Sequence, residues 1–455
     1  MSPKKKKKKA SWARREAHRI LCEWNGRERK VPIRPKIKAF LDRSNVPSKE
    51  KGLFWHLVLG VVRYMRLLDS ILKACLHKGF PGQGEARNAM RMGAFQLLFL
   101  ERIPPSAAVD QSVRLVEKRS EKSLVNAVLR KISSSIISGA EVKDPTREII
   151  IPGERILSLD KPFIPDINER KIPYYGTRYS YPDLLVKKWI ERWGEEKALS
   201  LFEACNTNPC LSLRINTVKT DKHTVYEYLK KEGMTKILDG ERENTVIVEW
   251  IGDPGNLNVL KEGMVTIQDQ ASMRAVDVLD PKPGDKVLDL CSAPGGKATQ
   301  AAEMMGDEGV VYAWDRADKR LVRVEEAKKR LGLKSIVVLR GKTLEEVLAL
   351  GPFDKVIVDV PCTGTGVLAR RPEGRWKLRP SDYVKLPQIQ REILLNGLSV
   401  LKPGGRLVYS TCSLEIEENE KVVESVEGIR VLRKETVLPI AGKRDGAFVA
   451  LIENI

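Results

Sequence analysis

Two cysteines carry the residues best suited to covalent chemistry, and each sits just past a short apolar run. Asp359-Val360-Pro361-Cys362-Thr363-Gly364-Thr365-Gly366 follows the run Asp354 to Val358. Tyr409-Ser410-Thr411-Cys412-Ser413 closes the run Gly405 to Tyr409. A lone cysteine is usually a small buried hydrophobe. Two at equivalent strand ends, beside a carboxylate and among Gly, Ser and Thr, are better suited to a reaction. The four histidines (His18, His56, His77 and His223) all precede these motifs, so a Ser-His-Asp or Cys-His centre in the C-terminal half would lack its base. The seven cysteines contain no CxxC pair, which argues against a zinc ribbon or a disulfide scaffold, and no metal centre is expected.

A third motif, Asp289-Leu290-Cys291-Ser292-Ala293-Pro294-Gly295-Gly296-Lys297, joins the strand-like run Lys286 to Leu290 to a helix starting near Ala298. Its glycines let a ligand approach the backbone at a helix N-terminus. It matches neither GxxxxGK[ST] nor GxGxxG, so no phosphate grip is expected. Asp315 ends the next strand, 20 residues after Gly295. A carboxylate there can accept both hydroxyls of a ribose, and can also cap the helix that follows. Together these features suggest a nucleoside cofactor held without phosphate contacts, and S-adenosylmethionine fits that description.

A methyl donor beside two thiols and a carboxylate suits carbon 5 of a pyrimidine. That carbon attacks a methyl group only after a thiolate has added to carbon 6. A carboxylic acid at ring nitrogen 3 helps the addition. A second thiol could serve the release of product, and Lys297 could lower a thiol pKa or orient the base. Cys291 falls inside the cofactor loop, and its thiol is assigned no chemistry.

The elements that position these motifs alternate. Strands are expected at Lys286 to Leu290, Val310 to Trp314, Ile336 to Leu339, Asp354 to Val358 and Gly405 to Tyr409. Helices are expected at Ala298 to Met305, Lys319 to Leu331 and Gln388 to Leu401. A closing antiparallel pair is expected at Ile429 to Leu432 and Ala447 to Ile452. This is the pattern of an α/β domain with a mostly parallel, seven-stranded sheet, which binds ligands at the carboxyl ends of its strands. Upstream, Ala13 to Trp24, Gly52 to Lys78, Glu85 to Leu100, Pro105 to Arg119 and Lys122 to Ile132 have apolar residues at helical spacing. Between the two regions lies a small mixed unit with strands Leu211 to Asn216 and Thr245 to Trp250 and a helix Val225 to Glu232.

Charge separates the same regions. The chain of 455 residues has 80 basic and 60 acidic side chains, a net of +20. Residues 1–140 hold 31 basic and 11 acidic groups, 31 − 11 = +20, and residues 141–455 hold 49 of each. The excess points to a polyanion, nucleic acid before membrane. The run Lys4 to Lys9 lacks a following hydrophobic segment and is expected to be a solvated tail rather than a secretion signal, in keeping with a cytoplasmic setting. No stretch is apolar enough to span a bilayer. Arg370, Arg371, Arg375, Lys377 and Arg379 form a basic island beside the motifs and are expected to grip phosphates.

The three motifs in this order, the last extended as Thr411-Cys412-Ser413 through Glu418-Asn419-Glu420, resemble the Sun (Nol/Nop/Sun) family of RNA cytosine-5 methyltransferases. Gln268-Asp269-Gln270-Ala271-Ser272, Arg371-Pro372-Glu373-Gly374-Arg375-Trp376-Lys377 and Leu213-Arg214-Ile215-Asn216-Thr217 support the match. Gly60-Val61-Val62-Arg63-Tyr64, Arg102-Ile103-Pro104-Pro105 and Val125-Asn126-Ala127-Val128-Leu129-Arg130 resemble the NusB-like RNA-binding domain.

The resemblance implies a multidomain chain. It has a helical NusB-like domain at 11–135, preceded by the basic disordered tail at 1–10 that the Lys run suggests and followed at 136–180 by a segment whose polar residues and prolines (Pro145, Pro152, Pro162, Pro165 and Pro173) read as a linker. A small α+β RNA-binding domain at 181–265 and a Rossmann-like class I methyltransferase domain at 266–455 follow. It also implies that Cys412 is the nucleophile, that Cys362 assists product release, and that Asp359 and Lys297 lie at the target cytosine. The cofactor would be held by Asp289, by Cys291, Ser292, Ala293, Pro294, Gly295, Gly296 and Lys297, and by Asp315, Arg320 and Asp359. Where the family often has an acid near the adenine, this chain has Arg340-Gly341-Lys342, so the adenine contact is left unassigned. Ribosomal RNA is the expected partner and transfer RNA the alternative, with the chain acting as a monomer. A non-catalytic RNA-binding factor and a DNA methyltransferase are the competing readings. The intact thiols, Asp359 and glycine loop argue against the first, and the NusB-like segment and the lack of a Glu-Asn-Val motif argue against the second.

Overall fold

The computed structural model describes residues 9–25, 33–42, 48–76, 79, 84–249 and 254–454. Most of the basic tail, the Lys78 end of the second expected helix and Trp250 lie outside the described residues. The chain forms two compact units: Met1–Phe202 with Arg371–Lys377, and Glu203–Arg370 with Leu378–Ile455.

The first unit is built on helices Trp12–Asn25, Ile33–Asp42, Ser48–Arg63, Met65–Cys75, Glu85–Phe99, Pro105–Val113 and Arg119–Ser134. Each buries the apolar stripe its sequence spacing dictates, as with Leu67, Leu68, Ile71 and Leu72 on one face of Met65–Cys75. The single helix expected over 52–78 is two. Tyr64 leaves helical geometry (φ −99, ψ 18), and its ring stacks on Phe99 with centroids 4.2 Å apart. The helix Ile33–Asp42 was not among the expected ones, and it contains Pro35. The proline sits in the first turn, where a missing N–H breaks no intrahelical bond.

Residues 136–180, expected as a linker, are folded. Strands β1 (Ile136–Ser138), β2 (Glu148–Ile151) and β3 (Arg155–Ser158) form a sheet in the order β1-β3-β2, and a helix covers Lys171–Arg178. Of the prolines that suggested a linker, Pro173 lies in the first turn of the helix Lys171–Arg178 and Pro152 marks a turn. Pro152-Gly153-Glu154 is the hairpin between β2 and β3, with Gly153 and Glu154 both at positive φ. Ile149, Ile151 and Leu157 are buried.

Arg371–Lys377 packs in this first unit, and the structure corrects the reading of it as part of a phosphate grip. Arg375 is fully buried. Its guanidinium lies 3.9 Å from the Tyr181 ring centroid and donates to the carbonyls of Arg63 and Ser180. Trp376 Nε1 donates to Val62 O at 2.8 Å. Outside that segment, Arg370 is paired with Asp269 and Asp445. Of the island, Arg371 and Arg379 are the exposed residues. Arg375→Ala is expected to cost about 3 kcal/mol, the range for a stripped buried charge site. The salt dependence of RNA binding should not change. A denaturant melt together with affinities over a salt series tests this; a flatter salt slope would return Arg375 to the phosphate-binding role.

The second unit contains two sheets. Strands β4 (Leu211–Ile215), β5 (Ile237–Asp239), β6 (Thr245–Val248) and β7 (Val265–Ile267) pair antiparallel in the order β5-β6-β4-β7. Strands β8 (Lys286–Asp289), β9 (Val310–Ala313), β10 (Ile336–Val338), β11 (Phe353–Asp359), β12 (Leu401–Thr411), β13 (Ile429–Val437) and β14 (Ala447–Asn454) form the expected seven-stranded sheet in the order β10-β9-β8-β11-β12-β14-β13. The first five are parallel, and β14 and β13 close the sheet antiparallel.

Alternate side chains of these strands enter two different cores. Val287, Ile357, Val408 and Val449 pack with helices Gln270–Leu279, Gly296–Met304 and Val322–Leu331. Leu288, Val356, Val358, Leu407 and Tyr409 pack on the opposite side with helix Asp382–Leu398. The strand order reverses between β8 and β11, so the crevice for a ligand opens at the carboxyl ends of those two strands. All three motifs lie on that edge.

Candidate active site

The glycine loop leaves β8 at Asp289. Hydrogen bonds from Trp314 N to Asp289 O (2.9 Å) and from Ser292 N to Trp314 O (2.8 Å) hold it against the end of β9. Gly295 adopts φ +102, where an L side chain is strained, and a Cβ there would sit 3.3 Å from Val324. Asp315, from the end of β9, accepts from Ala293 N (3.2 Å) and Ala317 N (2.9 Å). Arg320 donates to Ala293 O at 2.6 Å and pairs with Asp315 at 3.3 Å. Asp315 thus caps the segment after it and braces the loop, and Arg320 braces the same loop from outside.

Two buried polar atoms of this loop have no hydrogen-bond partner, Asp289 Oδ2 and Ser292 Oγ. With the left-handed glycine and the helix beginning at Gly296, they suit a ligand rich in hydroxyl and amine donors and acceptors. The donor set fits S-adenosylmethionine. Burial pushes the Asp289 carboxyl up to about 7, the Asp359 charge adds to this, and Lys297 opposes it. A carboxyl raised on folding contributes stability below its unfolded value of 3.8, and loses that contribution as pH rises through about 7. Asp289→Asn removes this titration. In cofactor-free protein the variant should therefore gain stability relative to wild type between pH 4 and 8, by at most ~4 kcal/mol. Thermal melts across that range test it, and a pH-independent difference would refute it. Desolvation and nearby acids hold the Cys291 thiol well above its usual range, which suits a structural role.

The two other cysteines meet. Cys362 Sγ and Cys412 Sγ are 3.3 Å apart, although 50 residues separate them in sequence. β11 and β12 are parallel neighbours, in register from Lys355–Arg406 to Asp359–Ser410, so the residues just past their ends share one edge. The glycines of the Cys362 motif make the approach possible. Gly364 has φ +70 and lies against Cys412 Sγ, and a Cβ on Gly366 would fall 2.4 Å from Gly446 O. The hydrogen bond to Cys412, desolvation and the neighbouring acids push the Cys362 thiol well above its usual range. Both cysteines are partly exposed.

Asp359 and Lys297 also come together. Lys297 Nζ is 2.7 Å from Asp359 Oδ2 and 3.1 Å from Ser272 Oγ, and Ser410 Oγ donates to Asp359 Oδ1 at 2.8 Å. Every catalytic residue expected from sequence therefore lies on the strand-end edge, Cys362 against Cys412 and Asp359 against Lys297.

What the sequence left without a role is the buried network beneath the thiols. Glu418 accepts from Thr363 N (2.8 Å), Thr363 Oγ1, Ser413 Oγ (2.7 Å) and Gln390 Nε2 (3.0 Å). Tyr409 OH donates to Glu418 O at 2.5 Å. Thr411 Oγ1 donates to Asn419, whose amide donates to Ser413 O at 2.9 Å. Glu418 and Asn419 thus tie the residue after Cys362 to the residue after Cys412. The acid-Asn pair itself was the available signal, but nothing local pointed it inward. The structure also accounts for Gln268 to Ser272. Asp269 caps the helix Gln270–Leu279, pairs with Arg370 and accepts from Asp445 N, while Ser272 holds Lys297.

Comparison with known proteins agrees with this architecture. Residues 11–134 match the NusB family, 181–249 the ferredoxin-like domain of RsmF/B-like methyltransferases, and 276–451 the 16S rRNA methyltransferase RsmB/F model. "Ribosomal RNA small subunit methyltransferase B" of Proteus mirabilis is 31% identical over 424 residues, covering 90% of this chain and 92% of that protein. "Probable ribosomal RNA small subunit methyltransferase B" of Synechocystis is 32% identical, covering 90% and 88%. The crystal structure of a methyltransferase homologue from Pyrococcus horikoshii matches with a TM-score of 0.55 and 28% identity, over 63% of this chain and 99% of that one. The chain belongs to the ribosomal RNA small subunit methyltransferase B family of Sun methyltransferases, and its methyl donor is S-adenosylmethionine.

Proposed function

We propose that the protein methylates carbon 5 of a cytosine in ribosomal RNA through a covalent adduct between Cys412 and carbon 6 of the base. The observation that carries this reading is the pair of thiols 3.3 Å apart beside the Lys297–Asp359 pair. Asp289, the loop from Cys291 to Lys297, Asp315, Arg320 and Asp359 hold the cofactor. When bound, S-adenosylmethionine supplies an electrophilic methyl group. The Cys412 thiolate adds to carbon 6, which makes carbon 5 nucleophilic. Asp359 contacts the base and keeps a proton at ring nitrogen 3, while Lys297 fixes its carboxyl group. After methylation the carbon-5 proton passes to a base at the site, the carbon–sulfur bond breaks with its electrons returning to the Cys412 sulfur, and ring nitrogen 3 gives up its proton as the ring is restored, with Cys362 serving this release.

Ribosomal RNA is the substrate carried by the names of the relatives, and the basic first third of the chain supports a polyanion. A cytosine within a helix must be flipped out or presented unpaired. The test is to incubate the enzyme and cofactor with ribosomal or transfer RNA, digest each to nucleosides and measure 5-methylcytidine by mass spectrometry. The expected product appears in ribosomal RNA. Methyl on another position, or on transfer RNA alone, would overturn the reading.

A further inference from the structure

Arg214 belongs to a strand whose residues alternate apolar and polar, Leu211-Ser212-Leu213-Arg214-Ile215-Asn216. Such a strand usually leaves its polar face in water. Here Leu211, Leu213 and Ile215 enter the core of the small sheet, and the opposite face is buried as well. Ser212, Arg214 and Asn216 are each at most 2% exposed. Asn216 donates to Leu331 O at 3.0 Å, at the end of helix Val322–Leu331.

Arg214 reaches the helix that begins in the cofactor loop. It forks onto Glu303 through Nε (2.8 Å) and Nη2 (2.9 Å). Its Nη1 donates to Gly296 O at 2.8 Å and to Gln268 Oε1, and its Nη2 donates to Thr299 Oγ1 at 3.0 Å. The Thr299 hydroxyl in turn donates to Gly295 O at 2.8 Å. Two consecutive carbonyls of the glycine loop are therefore oriented by one guanidinium, Gly296 directly and Gly295 through Thr299. Glu303 supplies the charge that lets the guanidinium be buried, and is itself only 5% exposed.

We propose that Arg214 is a positioning residue for cofactor binding, so that the small four-stranded sheet is part of the cofactor site. This rests on the reading of the 289–297 loop as that site. A guanidinium presents several donors in one rigid plane, which a lysine cannot reproduce.

The test is calorimetric binding of S-adenosylhomocysteine to the full chain, with thermal melts and RNA affinity measured alongside. The double variant Arg214→Met/Glu303→Leu removes both charges and refills the space. It should melt near wild type yet bind the probe at least ten-fold more weakly, with RNA affinity unchanged. Thr299→Val keeps shape and volume, and should weaken probe binding several-fold even if the double variant fails to fold. If folded double variant and Thr299→Val both bind like wild type, Arg214 is a structural ion pair and the proposal fails. Gly295→Val separates that outcome from failure of the underlying reading. If it too binds like wild type, the loop is not the cofactor site.

Discussion

Cys362→Ala, incubated with substrate RNA and S-adenosylmethionine, is expected to run on a denaturing gel as a covalent protein–RNA band. Cys412→Ala is expected to give neither band nor product. The two thiols are 3.3 Å apart and both are partly exposed, so distance does not distinguish nucleophile from helper. The family resemblance does, since it implies that Cys412 is the nucleophile and Cys362 the helper. On the proposed mechanism addition by Cys412 does not require Cys362, whereas release does, so removing Cys362 should strand the adduct. A band from Cys412→Ala and none from Cys362→Ala would reverse the roles. Methylation surviving in Cys412→Ala would rule out the covalent route.

Asp359→Asn should lower the single-turnover rate by about 10²–10⁴-fold, the usual worth of a positioned acid, while RNA affinity stays within a few-fold. An amide cannot carry the proton to ring nitrogen 3. It also leaves Lys297, whose side chain is 9% exposed, without the carboxylate 2.7 Å away. Lys297→Met should cost a similar factor through the other half of the pair. Groups that act as a unit are not additive, so the double variant should be no slower than the slower single one. Multiplying losses would show two independent contributions. Unchanged turnover in Asp359→Asn would remove the carboxyl from the chemistry.

Much of the catalytic edge was legible in the residues. Apolar runs of five followed by Gly, Ser and Cys signal strands that end in functional turns, and the seven expected strands all form. The signals were local: a side-chain period of two, glycines where φ must be positive, and helical spacing between strands. The misreadings share one cause. Proline content in 136–180 suggested a linker, but prolines at strand ends mark turns as readily, and only the partners of β1 to β3 reveal a sheet. Arginines at 370 and 375 suggested a phosphate grip, because a charge in sequence does not announce a buried partner. Asp269 lies 101 residues from Arg370, and the Arg63 carbonyl 312 residues from Arg375.

The sequence by itself determined where chemistry could occur: a glycine loop, two Cys turns and an acid, each at the end of its own strand. Those are properties of a few consecutive residues, and short-range sterics and hydrophobic period suffice to place them. Tertiary structure decided which of them act together. The parallel register of β11 and β12 sets two thiols side by side, and buried Glu418 ties together the turns that carry them. Arg214 joins a second sheet to the cofactor loop. Hydrogen bonds between residues tens to hundreds of positions apart depend on how sheets and helices stack, which no local pattern encodes.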